Sequence, residues 1–410
     1  MPATSARGQG GEEIVRAEAP HVLAALVRRY GQFELAEEAT QDALFEALRS
    51  WGTDLPDNPR GWLIRIAQRR LIDSLRAEYA RAEREHRYAV AGEPGDQSPS
   101  PHDDSLELLF LCCHSVLSPA LAIPLTLRAV CGLTTSEIAS AFFVPSPTMG
   151  QRISRAKSKL RGIPLVPADS TSLRSERLDS VLSVLSIMFN EGYTSSAGES
   201  LDRADIASEA LRLTTMLHRA FPEHAETEGL LALMLLHTAR RPARISDNLP
   251  VPIEQQNRAL WISDLIQSGI YHVEHALATG PLGRFQLMAA ITAIHCETAD
   301  ASSTDWCQIL ALHDLLLVTD PSPMARLSRI VALSRVHGPR YALLELDELC
   351  RSPLAALSHR SEAIRGHLLA DIGDQPGAEA AFRAAAASTR SIPERQHLLA
   401  RAEQVRRARE

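Results

Sequence analysis

Between Ser118 and Arg161 the chain is cut into three short helical segments by residues that start and stop helices, and this punctuation constrains it more than any other feature. Ser118-Pro119 opens the first segment and Gly132 closes it. Thr134-Thr135-Ser136-Glu137 opens the second, with Thr134 and Glu137 spaced for a capping box. A break at Phe143-Val144-Pro145 follows, and Ser146-Pro147 opens the third, with Ser146 expected as its N-cap. In that third segment Met149, Ile153, Ala156 and Leu160 recur at helical spacing and are expected to face a core. Thr148, Gln151, Arg152, Arg155 and Lys159 then fall on the opposite stripe. From Ser146 to Arg161 the segment carries Arg152, Arg155, Lys157, Lys159 and Arg161 and no acid. This is the pattern of a helix-turn-helix whose last helix is basic.

Such a stripe has the chemistry to read DNA. Arg and Lys reach guanine O6 and N7, Gln reaches adenine, and Thr meets a thymine methyl or a phosphate. A solvated basic face in an ordinary helical bundle is the competing reading. The net charge of −7 does not by itself suggest a polyanion partner, but local sign steers association more than the total does.

A second basic helix is expected from Gly61 to about Arg87, behind a loop bracketed by Pro56 and Pro59. Leu63, Ile66, Ala67, Leu71 and Leu75 face inward in it. Arg60 and Trp62 lie at its start, and Arg65, Gln68, Arg69 and Arg76 point out. Asp73, one turn from Arg69 and Arg76, can orient their guanidinia towards phosphates. Trp62 is read as core, with stacking on an unpaired base as the alternative. The helix before it, Phe33 to Trp51, has Leu35, Ala39, Ala43 and Leu48 inward. Its other stripe is Glu34, Glu38, Gln41, Asp42 and Phe45, flanked by Glu37 and Glu46. An exposed Phe among acids suggests a basic protein partner, with a plain solvated face as the alternative.

These residues together resemble a bacterial sigma factor of the extracytoplasmic-function (ECF) type. Ala36-Glu37-Glu38-Ala39-Thr40-Gln41-Asp42-Ala43 looks like region 2.2, and Pro59 to Ala67 with Asp73-Ser74-Leu75-Arg76 looks like regions 2.3 and 2.4. Leu117-Ser118-Pro119, Leu125-Thr126-Leu127-Arg128 and Leu133 to Ala139 look like region 4. Phe110-Leu111-Cys112-Cys113-His114, Phe189-Asn190-Glu191-Gly192-Tyr193 and the long tail look like the subgroup with a fused tetratricopeptide-like domain. The resemblance implies that the Glu34–Phe45 stripe docks on the β′ clamp helices of core RNA polymerase, with the β subunit as a further contact. It implies that the Gly52–Asn58 loop, with Asp54 and Asn58, and the helix after it open and read the −10 element around a flipped base. It implies that the Ser146–Leu160 helix reads the −35 element.

The expected fold is all-α, since no stretch alternates as a strand does. The expected domains are 12–88 and 105–163, for regions 2 and 4, and a helical domain at 174–410; linkers join them at 89–104 and 164–173. In the tail, Gly366, Gly373, Ala378, Phe382 and Ala385 have the spacing of a tetratricopeptide repeat, in which small residues let two helices approach and an aromatic plugs the gap; a plain helical bundle is the competing reading. Leu327–Val336 with Tyr341–Leu349, and Leu211–Leu217 with Leu230–Leu236, read as further helix pairs. Gly192 reads as the C′ residue of a helix end, with a hinge or a docking edge as the alternative. The short second linker leads us to expect contact between the tail and regions 2 and 4.

The six cysteines form no CxxC pair and read as reduced, mostly buried thiols of a cytosolic protein. The first thirteen residues are not a signal peptide, and no apolar run is long enough to span a membrane. No catalytic constellation, cofactor motif or metal-ligand set emerges: the histidines are scattered along the chain, and His114 beside Cys113 reads as packed or hydrogen-bonded. The expected function is promoter-specific initiation, modulated by the tail. The rival is a one-component helix-turn-helix regulator whose tail senses a ligand or peptide, and such a regulator has no need of the acidic stripe.

Overall fold

The computed structural model describes residues 5–51, 55–85, 105–114, 116–142, 144–161, 171–194, 202–246, 248–298, 300–351 and 359–408. It divides into two compact units, Met1–Val184 and Leu185–Glu410, and the division falls inside one helix.

In the first unit, α1 (Ser5–Tyr30), α2 (Phe33–Ser50) and α3 (Pro59–Glu85) pack as a three-helix bundle. The buried residues follow the helical period: Val22, Leu26 and Val27 from α1, Ala36, Ala39, Ala43 and Ala47 from α2, Leu63, Ala67 and Leu71 from α3. Four alanines on one face of α2 let its neighbours come close. Leu48, expected inward, is 52 % exposed, and Ala47 takes the core position instead. A loop ends at Asn58, whose Oδ1 accepts from Gly61 N–H at 2.9 Å and so caps α3 ahead of Pro59.

The helix-turn-helix comprises α5 (Pro119–Val130), α6 (Thr135–Ala141) and α7 (Ser146–Leu160), preceded by α4 (Ser105–Cys112). Gly132, at φ +62, turns the chain between α5 and α6. The capping box at α6 is complete: Glu137 N–H donates to Thr134 Oγ1 at 3.2 Å, and Thr134 N–H to Glu137 Oε2 at 2.7 Å. Met149, Ile153, Ala156 and Leu160 are all buried. The N-cap of α7 is Pro145, with no side-chain cap, so Ser146 is the first helical residue rather than the cap. α4 brings Cys112 and Cys113 into the core, where burial raises both thiols, Cys113 to about 12. His114 accepts from Val116 N–H through Nδ1 at 3.1 Å, which is the local hydrogen bond expected of it. Arg177, in the first part of α8 (Thr171–Tyr193), donates to the Phe110 carbonyl at 3.0 Å.

The second unit is a succession of helices, each packed on its neighbours in sequence. They are α9 (Ala204–Ala220), α10 (Ala225–Arg244), α11 (Ser263–Thr279), α12 (Arg284–Glu297), α13 (Trp306–Thr319), α14 (Pro323–His337), α15 (Pro339–Cys350), α16 (His359–Asp371), α17 (Gln375–Ser388) and α18 (Ile392–Arg407). The expected pairs are α9 with α10 and α14 with α15. The clearest repeat is α16 with α17, where a Cβ on Gly366 would lie 2.8 Å from the Phe382 ring, so only glycine admits the fully buried Phe382. Ala378 and Ala385 are buried beside it. A two-residue antiparallel bridge, Ile245–Ser246 with Leu249–Pro250, is the one pairing of strands among the described residues. Gly192 differs from expectation. It lies inside α8, and a Cβ there would meet Ala207 N at 2.3 Å, so it serves the close approach of α9 rather than a turn.

Candidate nucleic-acid and partner interface

Burial of the apolar stripe of α7 fixes what its other face presents. Thr148, Gln151, Arg155 and Lys159 are exposed, and Arg152 and Ser146 are half-buried. A groove of about 560 Å³ runs between this face and the start of α5, lined by Ser118, Ala120, Leu121, Arg152, Arg155, Ser158 and Lys159. Three cations thus converge beside a helix N-terminus, an arrangement that suits phosphate oxygens.

The other two cations of this helix are turned elsewhere. Lys157 Nζ lies 2.8 Å from Glu37, and Arg161 holds Glu34 through two bonds of 2.7 Å. The Arg161 guanidinium keeps the Glu34 carboxyl below its usual range despite partial burial. These pairs tie α7 to α2 and occupy Glu34, which the sequence placed on the open stripe. Glu46 is also paired, with Arg70 at 3.1 Å. Glu38, Gln41, Asp42 and Phe45 remain an exposed stripe, with Phe45 63 % exposed.

On α3, Arg65, Arg69 and Arg76 are exposed, and Gln68 is half-buried on the same side. Asp73 is exposed too, but no ion pair joins it to Arg69 or Arg76 among the described residues, so it does not orient them here. Arg60 is tied to Glu18 at 2.6 Å. Trp62 is half-buried, packed edge-on against Trp51 with ring centroids 5.3 Å apart, which accounts for it without a stacked base. Asn58 is occupied by its cap. Asp54 lies outside the described residues.

The expectation that the histidines are scattered holds along the chain but not in space. His218, Glu228 and His272 meet in the second unit, with donor atoms within 4.8 Å of one another. Their separations of 10 and 44 residues match no metal-binding spacing, so the sequence offered no signal for them. No helix among the described residues is long and apolar enough to cross a membrane.

Comparison with known families agrees with this geometry. The Sigma-70 region 2 family matches residues 14–81, covering α1 to α3, and the Sigma-70 region 4 family matches residues 107–160, covering α4 to α7. A family of unknown function (DUF6596) matches residues 177–277, from α8 into α11. The chain is 35 % identical over 383 residues to the "Uncharacterized protein R00370" of Rhizobium meliloti (strain 1021), an alignment covering 90 % of each. It is 29 % identical over 153 residues to the "Probable ECF RNA polymerase sigma factor SigI" of Mycobacterium tuberculosis, covering 35 % of this chain and 52 % of that one. It is 31 % identical over 135 residues to the "ECF RNA polymerase sigma factor SigK" of Mycobacterium sp. (strain KMS), covering 31 % of this chain and 65 % of that one. With both sigma regions matched on the helices that form the two modules, and ECF sigma factors among its relatives, the chain belongs to the ECF-type sigma factors, with a C-terminal helical unit after its two sigma regions.

Proposed function

We propose that this sigma factor binds core RNA polymerase through Glu38, Gln41, Asp42 and Phe45 on α2 and directs it to promoters, in the cytoplasm. α7 enters the −35 major groove with Thr148, Gln151, Arg152 and Arg155, while Lys159 meets phosphate. Arg65, Gln68, Arg69 and Arg76 on α3 track the −10 backbone. The observation that carries this reading is the face of α7: Thr148, Gln151, Arg152, Arg155 and Lys159 stand opposite the buried stripe of Met149, Ile153, Ala156 and Leu160. A one-component regulator would share that face but would leave the Phe45 stripe without use.

Run-off transcription with core polymerase tests the proposal. The full chain is expected to start transcripts at a cognate promoter, and the double variant Glu38→Lys, Asp42→Lys to lose core association with helical content unchanged. Retention of core by that variant would sink the docking assignment. The C-terminal unit is proposed to be required for initiation. Since Arg177 bonds Phe110, a truncation at Ala168 would damage the first unit, so the informative chain ends at Val184. It is expected to bind core but initiate poorly; transcription equal to the full chain would make the C-terminal unit dispensable.

A further inference from the structure

The second unit holds a cluster that DNA reading and polymerase docking do not use. Glu228 stands in the first turn of α10 and is only 2 % exposed. A buried carboxylate needs partners, because an unpaired charge taken out of water loses its hydration with nothing to replace it. Its two oxygens are held by two imidazoles one turn apart on α11. His272 Nδ1 lies 2.8 Å from Oε1, and His275 Nδ1 lies 2.6 Å from Oε2. From the last turn of α9, the His218 ring meets the His272 ring edge-on at 5.4 Å. The Nδ1 of His218 is buried and has no hydrogen-bond partner among the described residues. Burial raises the Glu228 carboxyl, and the two histidine hydrogen bonds more than offset this, leaving it below its usual range. Burial pushes the His218 imidazole below its usual range, with Glu228 acting in the opposite sense.

We propose that His218, Glu228 and His272 form a divalent transition-metal site, with zinc as the fitting ion, that clasps α9, α10 and α11. Two imidazoles and a carboxylate are the donor set of a three-ligand zinc site, which leaves a fourth position open. Donor atoms around a tetrahedral zinc stand roughly 3.4 Å apart, as bonds of about 2.1 Å require. The observed spread, within 4.8 Å, needs a rotamer adjustment of the kind that replaces the His272–Glu228 hydrogen bond by two metal bonds. His275, half-exposed, stays on the second carboxylate oxygen and orients it. Hard cations such as magnesium prefer oxygen donors and are disfavoured by two imidazoles.

Tag-free full-length protein, stripped with chelator and titrated with zinc chloride, tests this. One tightly bound zinc per chain is expected, with Tm raised by roughly 5 °C at saturating metal, and no response to magnesium. His272→Asn, on a part-exposed side chain, should abolish that stoichiometric binding without loss of helical content. His275→Asn should weaken it about 10- to 100-fold, as loss of an orienting partner does. Cobalt substitution should give d–d bands without thiolate charge transfer, separating this site from the six free cysteines. Absence of one-to-one zinc binding would overturn the proposal and leave an ion-paired carboxylate. So would zinc binding that His272→Asn and His218→Asn leave unchanged, or a cobalt spectrum with thiolate bands.

Discussion

At the residue scale, one side chain in this protein often answers to two demands, and the variants that separate them are specific. Arg152 and Arg155 share a groove with Lys159, yet their positions differ along α7. Losing one bidentate guanine contact should cost about 1–3 kcal/mol and relax preference at a single base pair. Arg152→Ala and Arg155→Ala holoenzymes, assayed on a promoter series substituted base by base, should therefore lose discrimination at one position each. Lys159→Ala should weaken all promoters alike and flatten the salt dependence. Equal losses on every sequence for the arginine variants would reduce them to backbone contacts. Asn58 poses the converse case. Its Oδ1 caps α3, so Asn58→Ala should destabilise the first unit by about 1 kcal/mol in urea unfolding, whereas Asn58→Asp keeps the acceptor and the stability. Any promoter defect common to both variants belongs to DNA and not to the cap.

At the element scale, α2 and α7 explain each other. The sequence presented α2 as a single acidic face and α7 as a single basic one. Packing divides both: Glu34 and Glu37 go to Arg161 and Lys157, while Glu38, Gln41 and Asp42 stay in solvent. Long-range pairing of this kind has no sequence signature, because the partners are 120 and 127 residues apart. The Lys157–Glu37 pair is the better shielded, with side-chain exposures of 28 % and 14 %. A double-mutant cycle with Glu37→Gln and Lys157→Met should give a coupling of about 1 kcal/mol, near the upper end for partly exposed pairs. The coupling should shrink in high salt. A coupling of zero would mean that this ion pair does not help to hold the two helices together. The repeat at α16 and α17 was legible for the opposite reason. Its requirement is local, a glycine facing an aromatic sixteen positions on, and the spacing of Gly366 and Phe382 displays it directly.

At the scale of the whole molecule, the second unit carries buried imidazoles that make its stability depend on pH. Burial pushes His313 down to about 4, with Arg329 adding to the effect, and pushes His237 to about 3 and His295 to about 4. His313 is only 7 % exposed and its Nδ1 has no hydrogen-bond partner among the described residues. The unfolded chain takes up the proton near pH 6.5, and the folded chain refuses it until much lower pH. Between those values the unfolded state binds more protons, so stability falls as pH falls. It is fully present above about pH 6.5, and at about pH 5 His313 alone should have removed roughly 2 kcal/mol. Thermal melts from pH 7.5 to 5 should show the second unit losing Tm on acidification, with His313→Gln blunting the loss. A flat profile would place solvent beside these rings.

The sequence by itself determined the helical class, the capped helix-turn-helix, the inward stripe of α7 and the one clear repeat. Each of these rests on nearest-turn physics: a cap needs residues three apart, an amphipathic face needs a period of 3.6, and a close helix pair needs small residues in register. Tertiary structure alone decided the rest. It turned Leu48 outward and left Ala47 in the core, put Gly192 against α9, engaged Glu34 with Arg161, and gathered His218, Glu228 and His272 from three helices. These outcomes depend on which helix lies against which. That is set by the summed burial of many side chains across the fold, and no window along the chain contains it.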